Sequence, residues 1–252
     1  MIEVIGIENF PIIKKGDSLG ELILASLKKM GIELHENDIL VITEKIVSKA
    51  EGRLVELKDV VPSEKALKLA EATGKDPRIV ELILRESCEV LAVGENFIIV
   101  ETRSGFVMAN AGVDESNVDD GTAKLLPLDP DRSAKEIKGY LERKTRRKLG
   151  VIISDSLGRP FRHGSIGVAI GASGLRTLWD RRGEQDMLGK ELMVTRVAVG
   201  DCLASAANLV MGEAAEMIPV VVIRGFDFSG DGNALDLIRP KEQDVFRRKQ
   251  TP

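Results

Sequence analysis

Four short segments of this 252-residue chain hold charged, hydroxyl and glycine residues in combinations that core packing does not require. The first is Ser48-Lys49-Ala50-Glu51-Gly52, soon after an apolar run. A lysine at a strand exit beside a glycine turn can offer its ammonium to a phosphate or a carboxylate. An ordinary surface lysine before a turn is the plainer alternative. The second is Asn110-Ala-Gly-Val-Asp114, continuing through Glu115, Ser116 and Asn117 to Asp119-Asp120-Gly121. Its small residues let the backbone approach a ligand closely, and Asp114 offers hard oxygens to a cation, unless the stretch is only a solvated acidic loop. The third is Ile152-Ile-Ser-Asp155-Ser156-Leu-Gly-Arg159-Pro-Phe-Arg162-His163-Gly164. Here a buried strand is expected to end in a carboxylate and a hydroxyl, a pair that suits Mg2+ or Mn2+, with Arg159 and Arg162 close behind for phosphate or carboxylate. The carboxyl ends of strands are where α/β proteins tend to hold ligands. His163 reads equally as a base or as a hydrogen-bonding element. The fourth runs from Asn208 through Met211-Gly212-Glu213 to Glu216. Glu213 can complete a metal shell there, or be one of the ordinary glutamates of a helix end.

Three separated carboxylates, one hydroxyl, one lysine and an arginine pair form the inventory of an oxygen-coordinated metal site that handles phosphate. Phosphoryl transfer asks a protein mainly to position groups and neutralise charge, so no covalent nucleophile is needed. Composition excludes much else. Two Cys (Cys88, Cys202) and two His (His35, His163), all far apart, give neither a zinc pair nor a disulfide framework, and point to a reducing, cytoplasmic setting. The phosphate loop G-x-x-x-x-G-K-[ST], the dinucleotide fingerprint G-x-G-x-x-G and the nucleophile elbow G-x-S-x-G are all missing. Gly164-x-x-Gly167-x-x-x-Gly171 fits neither phosphate spacing. Asp227-Phe-Ser-Gly-Asp231-Gly232 opens like a calcium loop, but Ile238 stands where the bidentate glutamate belongs. With 36 Lys+Arg against 40 Asp+Glu and only 4% aromatic residues, the chain lacks the basic, aromatic groove that single-stranded nucleic acid requires. The opening residues carry Glu3 and no basic stretch before an apolar core, so no secretory leader is expected. No apolar run approaches the ~20 residues of a membrane span.

These segments need elements to position them. An opening strand is expected over Ile2–Ile7. Ser18-Leu-Gly-Glu21 is spelled like a capping box, with Leu22, Ile23, Leu27 and Met30 at helical spacing behind it. Asp38–Thr43 predicts a buried strand. Two helices follow, one from Pro62-Ser63 to Gly74, the next with Asp76 as its cap and Pro77 in its first turn. Short strands are expected over Val90–Val93, Phe97–Thr102 and Phe106–Ala109. Ser133-Ala-Lys-Glu136 predicts a second capping box, opening a helix that ends in the basic stretch Arg143–Lys148. Strands over Val151–Ser154, Ile166–Gly171, Leu192–Val199 and Ile218–Arg224 complete the pattern, with Asp201 capping an alanine-rich helix through Met211. The expected class is α+β in two mixed α/β lobes. Residues 1–130 would carry the SKAEG and NAGVD segments and residues 131–252 the ISDS and MGE segments, with a soft boundary near Pro127–Arg132 and lobes that need not be continuous.

In this order, FPIIKKGD, VSKAEGRL, PSEKA, NAGVDESNV, LPLDPDRSA, GVIISDSLGRPFRHG, VAIGASGL and ANLVMGE before IPVVVIRG resemble the F-420-0:γ-glutamyl ligase family. The match spans nearly the whole chain, and NAGVD-x-SN with ISDS-x-GRPFR-x-G is its most specific part. The resemblance implies an intertwined homodimer of two-domain subunits that uses GTP with two Mg2+ or Mn2+ ions, potassium assisting. It implies that Asp114, Asp155, Ser156 and Glu213 hold the divalent ions. It further implies nucleotide contacts from Phe10, Pro11, Ile12, Ile13, Glu44, Lys49, Asn117, and from Met211, Gly212, Glu213, Ala214, Ala215, Glu216, Met217 and Ile218. The implied reaction joins L-glutamate to the deazaflavin precursor F-420-0 through an acyl phosphate, with a second, γ-linked glutamate to follow. Lys49 would assist at the phosphate, and Arg159 and Arg162 are assigned here to substrate carboxylates. A metal-dependent phosphohydrolase and a non-catalytic nucleotide-binding module are the competing expectations. Two departures from the pattern stand out. Glu44 replaces a small hydroxyl residue found in some members, so it is expected to touch ribose, base or a cation rather than a phosphate. Gly212-Glu-Ala-Ala-Glu-Met217 replaces a more glycine-rich loop.

Overall fold

Apolar runs of β-branched residues need both faces covered, and here they form the middle of one mixed sheet. The computed structural model describes residues 1–227 and 229–247. Phe228, inside the stretch that opens like a calcium loop, and residues 248–252 of the expected C-terminal lobe lie outside the described residues. In chain order the elements begin with β1 (Glu3–Gly6), α1 (Leu19–Lys29), β2 (Ile39–Thr43) and α2 (Glu44–Glu51). Next come β3 (Leu54–Glu56), α3 (Glu64–Thr73), α4 (Pro77–Arg85), β4 (Ser87–Gly94), β5 (Phe97–Thr102), β6 (Val107–Ala109) and β7 (Thr122–Lys124). The chain continues through α5 (Pro130–Thr145), β8 (Gly150–Arg159), β9 (Arg162–Ser173), β10 (Leu178–Asp180), β11 (Arg196–Ala198), α6 (Val199–Met211) and β12 (Val220–Arg224). No helix among the described residues is long and apolar enough to cross a membrane.

The main sheet has the order β1-β12-β2-β8-β9, so it draws strands from both halves of the chain. Only β2 and β8 are parallel; β12, β1 and β9 run opposite to their neighbours. Alternate residues of each strand point to opposite faces. Leu40, Ile42, Val151, Ile153, Val220 and Val222 meet Ile23 and Leu27 of α1 and Ile137 and Leu141 of α5 on one face. Ile39, Val41, Ile152, Val221 and Ile223 meet Leu203, Ala204, Ala207 and Met211 of α6 on the other. A separate core lies under α3 and α4, where Ala66, Ala70, Ile79, Val80 and Ile83 pack on Ile98 and Val100 of β5. There β4-β5-β6 form a meander and β3 pairs with β7. The structure is thus α+β, as expected.

Two glycines explain how helices close so tightly on β9. A Cβ on Gly167 would lie 2.3 Å from the carbonyl oxygen of Ala204 in α6, and one on Gly171 would lie 2.4 Å from the backbone of Pro130 in α5. Four residues apart on a regular strand, they would face the same side. A bulge separates them, because Ile153 pairs with Gly171 while Ser154 pairs with Ala169, leaving Ile170 as the extra residue. The Gly167-x-x-x-Gly171 spacing is therefore set by helix packing, whereas Gly164, at φ 86°, serves the register shift beside the hairpin turn into β9.

Local expectations need four corrections. The helix expected from Ser133 begins at Pro130, because Asp129 accepts the Arg132 N–H (3.0 Å) and proline suits the first helical position. Ser133 donates its hydroxyl to Glu51 instead. The strand expected over Leu192–Val199 is only Arg196–Ala198, since α6 opens at Val199. Asp201 sits inside the first turn of α6 and accepts the Ala169 N–H (3.0 Å), tying the helix to β9 rather than capping it. Ser18 precedes α1 without a side-chain cap bond. Ser63 and Asp76 do cap α3 and α4 through the Ala66 and Arg78 N–H groups.

Candidate functional site

The parallel register sets the site. Thr43 at the end of β2 lies opposite Ser154 in β8, so the next residues, Glu44 and Asp155, are brought side by side at the same end of the sheet. Thr43 N–H donates to Pro219 (2.9 Å) and Ile7 N–H to Val220 (2.8 Å), which brings the entry to β12 and the exit from β1 to that end too. A cavity of about 450 Å3 opens there.

Two of the four segments are not loops. Ser48–Glu51 lies in α2, whose C-cap is Gly52 in the left-handed region (φ 72°). The sequence there lacks an apolar period long enough to mark so short a helix. Lys49 sits in its last turn and donates to the Asn117 carbonyl (2.6 Å). Burial and the neighbouring Lys45 ammonium push Lys49 below the ordinary lysine range, with Asp119 and Glu44 opposing. Asp155 and Ser156 likewise do not end their strand, because β8 runs on to Arg159 and turns back as β9.

The start of α2 meets the second segment in two opposite charge pairs. Asp114 and Lys124 form an antiparallel bridge, each N–H donating to the other's carbonyl (3.0 and 2.8 Å). Lys124 donates to Glu44 (2.6 Å), with both side chains 2% exposed, while Lys45 pairs with Asp114 (3.0 Å). Ser48 also donates to Glu44 (3.1 Å). The anion at Glu44 therefore touches a cation, one of the three partners expected for it. Burial would raise the Asp114 carboxyl, but the hydroxyl and N–H of Ser116 and the Lys45 ammonium hold it below the ordinary carboxylate range.

Asp155 differs. Burial first, then the neighbouring Glu44 carboxylate, push its carboxyl up to about 7, against the opposing pull of Lys124, the Ser156 N–H and Lys45. That N–H donates to Asp155 (2.8 Å), and the Ser156 hydroxyl donates to Glu213 (3.0 Å). Glu213 also accepts from Ser165 (3.1 Å) and Asn208 (3.0 Å), and these three donors outweigh burial to lower its carboxyl. Among the described residues no three His, Cys, Asp or Glu side chains converge as they would around an ion. The donor chemistry nevertheless fits a hard cation. All four candidate ligands offer oxygen, and Asp155 is a half-buried carboxyl with no cation hydrogen-bonded to it.

The cavity collects most of the expected residues. Phe10, Pro11, Ile12, Ile13, Glu44, Lys49, Asn117, Asp155, Ser156 and Met211 through Ala215 line it, together with Met217 and Ile218. Glu216 does not; it folds back to accept the Ala214 N–H (2.8 Å) over Gly212, which has a left-handed φ of 71°. Asp114 is joined to the cavity wall through Lys45. Arg159, Arg162 and His163 lie at the β8–β9 hairpin tip and do not line it. Arg159 Nε is buried there without a hydrogen-bond partner. Sequence reasoning missed Lys45 and Pro219 in the wall and Lys124 beneath it, and it gave Ser154 and Asn208 no role although both lie within its candidate segments. Lys45 was legible as the i−4 neighbour of Lys49 once a helix was drawn; Lys124, in a three-residue strand, gave no signal. The lining combines apolar side chains, among them Phe10, Ile12, Ile13, Met211, Met217 and Ile218, with the ammonium groups of Lys45 and Lys49 and the carboxylates of Glu44, Asp155 and Glu213.

A family model described as F420-0:Gamma-glutamyl ligase matches residues 7–225. The chain is 54% identical over 249 residues to the "Coenzyme F420:L-glutamate ligase" of Methanothermobacter thermautotrophicus, covering 98% of this chain and 99% of that one. It is 53% identical to the protein of the same name from Methanocaldococcus jannaschii over 249 residues, 98% of this chain and 97% of the relative. Identity to the Archaeoglobus fulgidus protein of that name is 42% over 247 residues, again 98% and 97%.

Proposed function

The chain belongs to the F420-0:gamma-glutamyl ligase family, and from that premise we propose that it joins L-glutamate to F-420-0 by an amide bond driven by GTP. The observation that carries this reading is one cavity whose lining joins apolar side chains, among them Phe10, Ile12, Ile13, Met211, Met217 and Ile218, with Lys49, Asp155, Ser156 and Glu213. A flat base and ribose suit the apolar side chains of Phe10, Ile12, Ile13, Met211, Met217 and Ile218, and phosphates suit the Lys49 ammonium.

The reaction divides into two balanced steps. The terminal carboxylate of F-420-0 attacks the γ-phosphorus of GTP, forming an acyl phosphate and releasing GDP. The α-amine of glutamate then attacks the acyl carbon, the phosphate leaves with the carbon–oxygen electron pair, and the amine loses a proton. A further cycle on the γ-carboxylate would add the second glutamate. Lys49 orients and neutralises a phosphate oxygen, and Asn117 braces that lysine through its carbonyl. Arg159 and Arg162, on the adjacent hairpin tip, hold substrate carboxylates. Asp114, Asp155, Ser156 and Glu213 would hold two Mg2+ or Mn2+ ions, which neutralise phosphate oxygens when bound, with potassium assisting. Glu44 keeps its buried pairing with Lys124 and acts on the nucleotide only through its place in the wall.

The test is GDP release measured with each substrate omitted in turn. The ligase releases GDP only when F-420-0 and glutamate are both present. Phosphate release from GTP alone would identify a phosphohydrolase, and GTP binding without turnover in any combination a binding module.

A further inference from the structure

Lys45 has no role in the reaction described above, yet it occupies the most contested position in the site. Its ammonium lies 3.0 Å from Asp114 Oδ2 and 2.7 Å from the Ser116 hydroxyl that also donates to Asp114. It therefore holds the carboxylate oxygen that a divalent cation would need. The neighbouring pair does not have this freedom. Glu44 and Lys124 are 2% exposed, and separating them would leave an uncompensated buried charge. Lys45 and Asp114 are 38% and 35% exposed, a setting in which an ion pair contributes little and its ammonium can leave at small cost. The helix also gives the departing group somewhere to go. Lys45 and Lys49 are four residues apart on α2, so both ammonium groups stand on one face, and both line the cavity.

We propose that Lys45 is the resident counter-ion of Asp114, exchanged for a divalent cation when one binds, and that its freed ammonium passes to the nucleotide phosphates beside Lys49. The proposal rests on reading Asp114 as a metal ligand. It makes Lys45 a residue that couples the two binding events: it competes with the metal while bound to Asp114 and supports the nucleotide once displaced. A lysine that only pinned the loop would weaken both ligands on removal.

The experiment titrates the full chain with Mn2+ alone, following the electron paramagnetic resonance signal of free Mn2+, and then titrates the Mn2+-loaded protein with GDP by calorimetry. Lys45→Met is expected to bind Mn2+ about tenfold more tightly than wild type, and then to bind GDP about tenfold more weakly. Lys49→Met removes the same charge one turn away without freeing Asp114, so its gain in Mn2+ affinity should be at most twofold. Lys45→Arg keeps the charge and should keep wild-type Mn2+ affinity, which guards against a merely loosened loop. Unchanged or weaker Mn2+ binding by Lys45→Met overturns the exchange, as does an equal gain in Lys49→Met or a gain in Lys45→Arg. Unchanged GDP binding overturns the transfer to phosphate. Asp114→Asn reports on the underlying reading. If it binds Mn2+ like wild type, Asp114 is no ligand; if it loses a class of site that Lys45→Met leaves unaltered, the ligand reading stands and the exchange falls.

Discussion

Asp155 faces two opposing demands. Its burial beside Glu44 disfavours the charged form, while the proposed metal role requires it. With divalent ions chelated, the folded chain keeps a proton at Asp155 that the unfolded chain gives up near the ordinary carboxylate pKa of 3.8. Between about pH 4 and about 7 the native state thus binds more protons, and this group makes stability fall as pH rises, levelling off above about 7. Chemical denaturation across that range should show this slope in wild type and lose it in Asp155→Asn. The same variant should lose about 10²-fold or more in turnover, because a charged ligand is gone. Activity within twofold of wild type at both low and saturating Mn2+ would remove Asp155 from the metal set. Beneath it, Lys124→Met leaves Glu44 buried without its cation, at a cost of about 3–5 kcal/mol in unfolding free energy. Adding Glu44→Gln should restore most of that loss in the same denaturation curve. The carboxylates and Lys49 were legible in the sequence because charges that follow an apolar run or sit among small residues are unusual. Lys124 was not, because its partner lies 80 positions away and only the fold brings them together.

Elements were legible where one local cause dominates. Asp76-Pro77 and Ser63 start their helices because cap and first turn are spelled within a few residues. Where two spellings compete, tertiary contact decides. Asp129-Pro130 wins over Ser133, whose hydroxyl goes to Glu51, and Asp201 gives up capping to bind β9. The β9 bulge belongs to the same class, since nothing local in Ala169-Ile170-Gly171 marks an extra residue. It can be tested through its glycine. Gly171→Ala puts a methyl 2.4 Å from the backbone of Pro130, which cannot yield as a side-chain tip would. The expected cost is about 3 kcal/mol, seen as a lower denaturation midpoint. Asp131 offers a second check. It accepts N–H groups from Ala172 (2.7 Å) and Ala234 (2.9 Å), joining α5 to β9 and to the C-terminal segment. Asp131→Ala should cost about 1–3 kcal/mol per N–H left unpaired, and no loss would mean that water replaces it.

Across the whole molecule, the α+β class and the run of site segments were legible, but the sheet order was not, because no local pattern says which strand lies beside which. The 181–195 excursion between β10 and β11 shows a second gap in sequence reasoning. Met187 and Leu188 are 97% and 87% exposed, and Met193 and Val194 stand out with them. Exposed apolar side chains of this kind favour burial against a partner when they gather in one patch. If the homodimer that the family resemblance implies forms through this surface, Met187→Glu with Leu188→Glu should halve the mass read by light scattering; an unchanged dimer mass would place the contact elsewhere. The placement of β12 between β1 and β2 bears on how the chain comes into being. Residues 3–6 pair with 221–224, so β1 must wait for β12, more than 200 positions later, before its ladder can close. Contacts so distant in sequence slow folding, and they cannot form while the chain is still emerging from the ribosome. Because Pro219 also completes the cavity, a nascent chain can hold every carboxylate of the site and still have no closed pocket. Synthesis must have passed residue 224 before the pocket can exist.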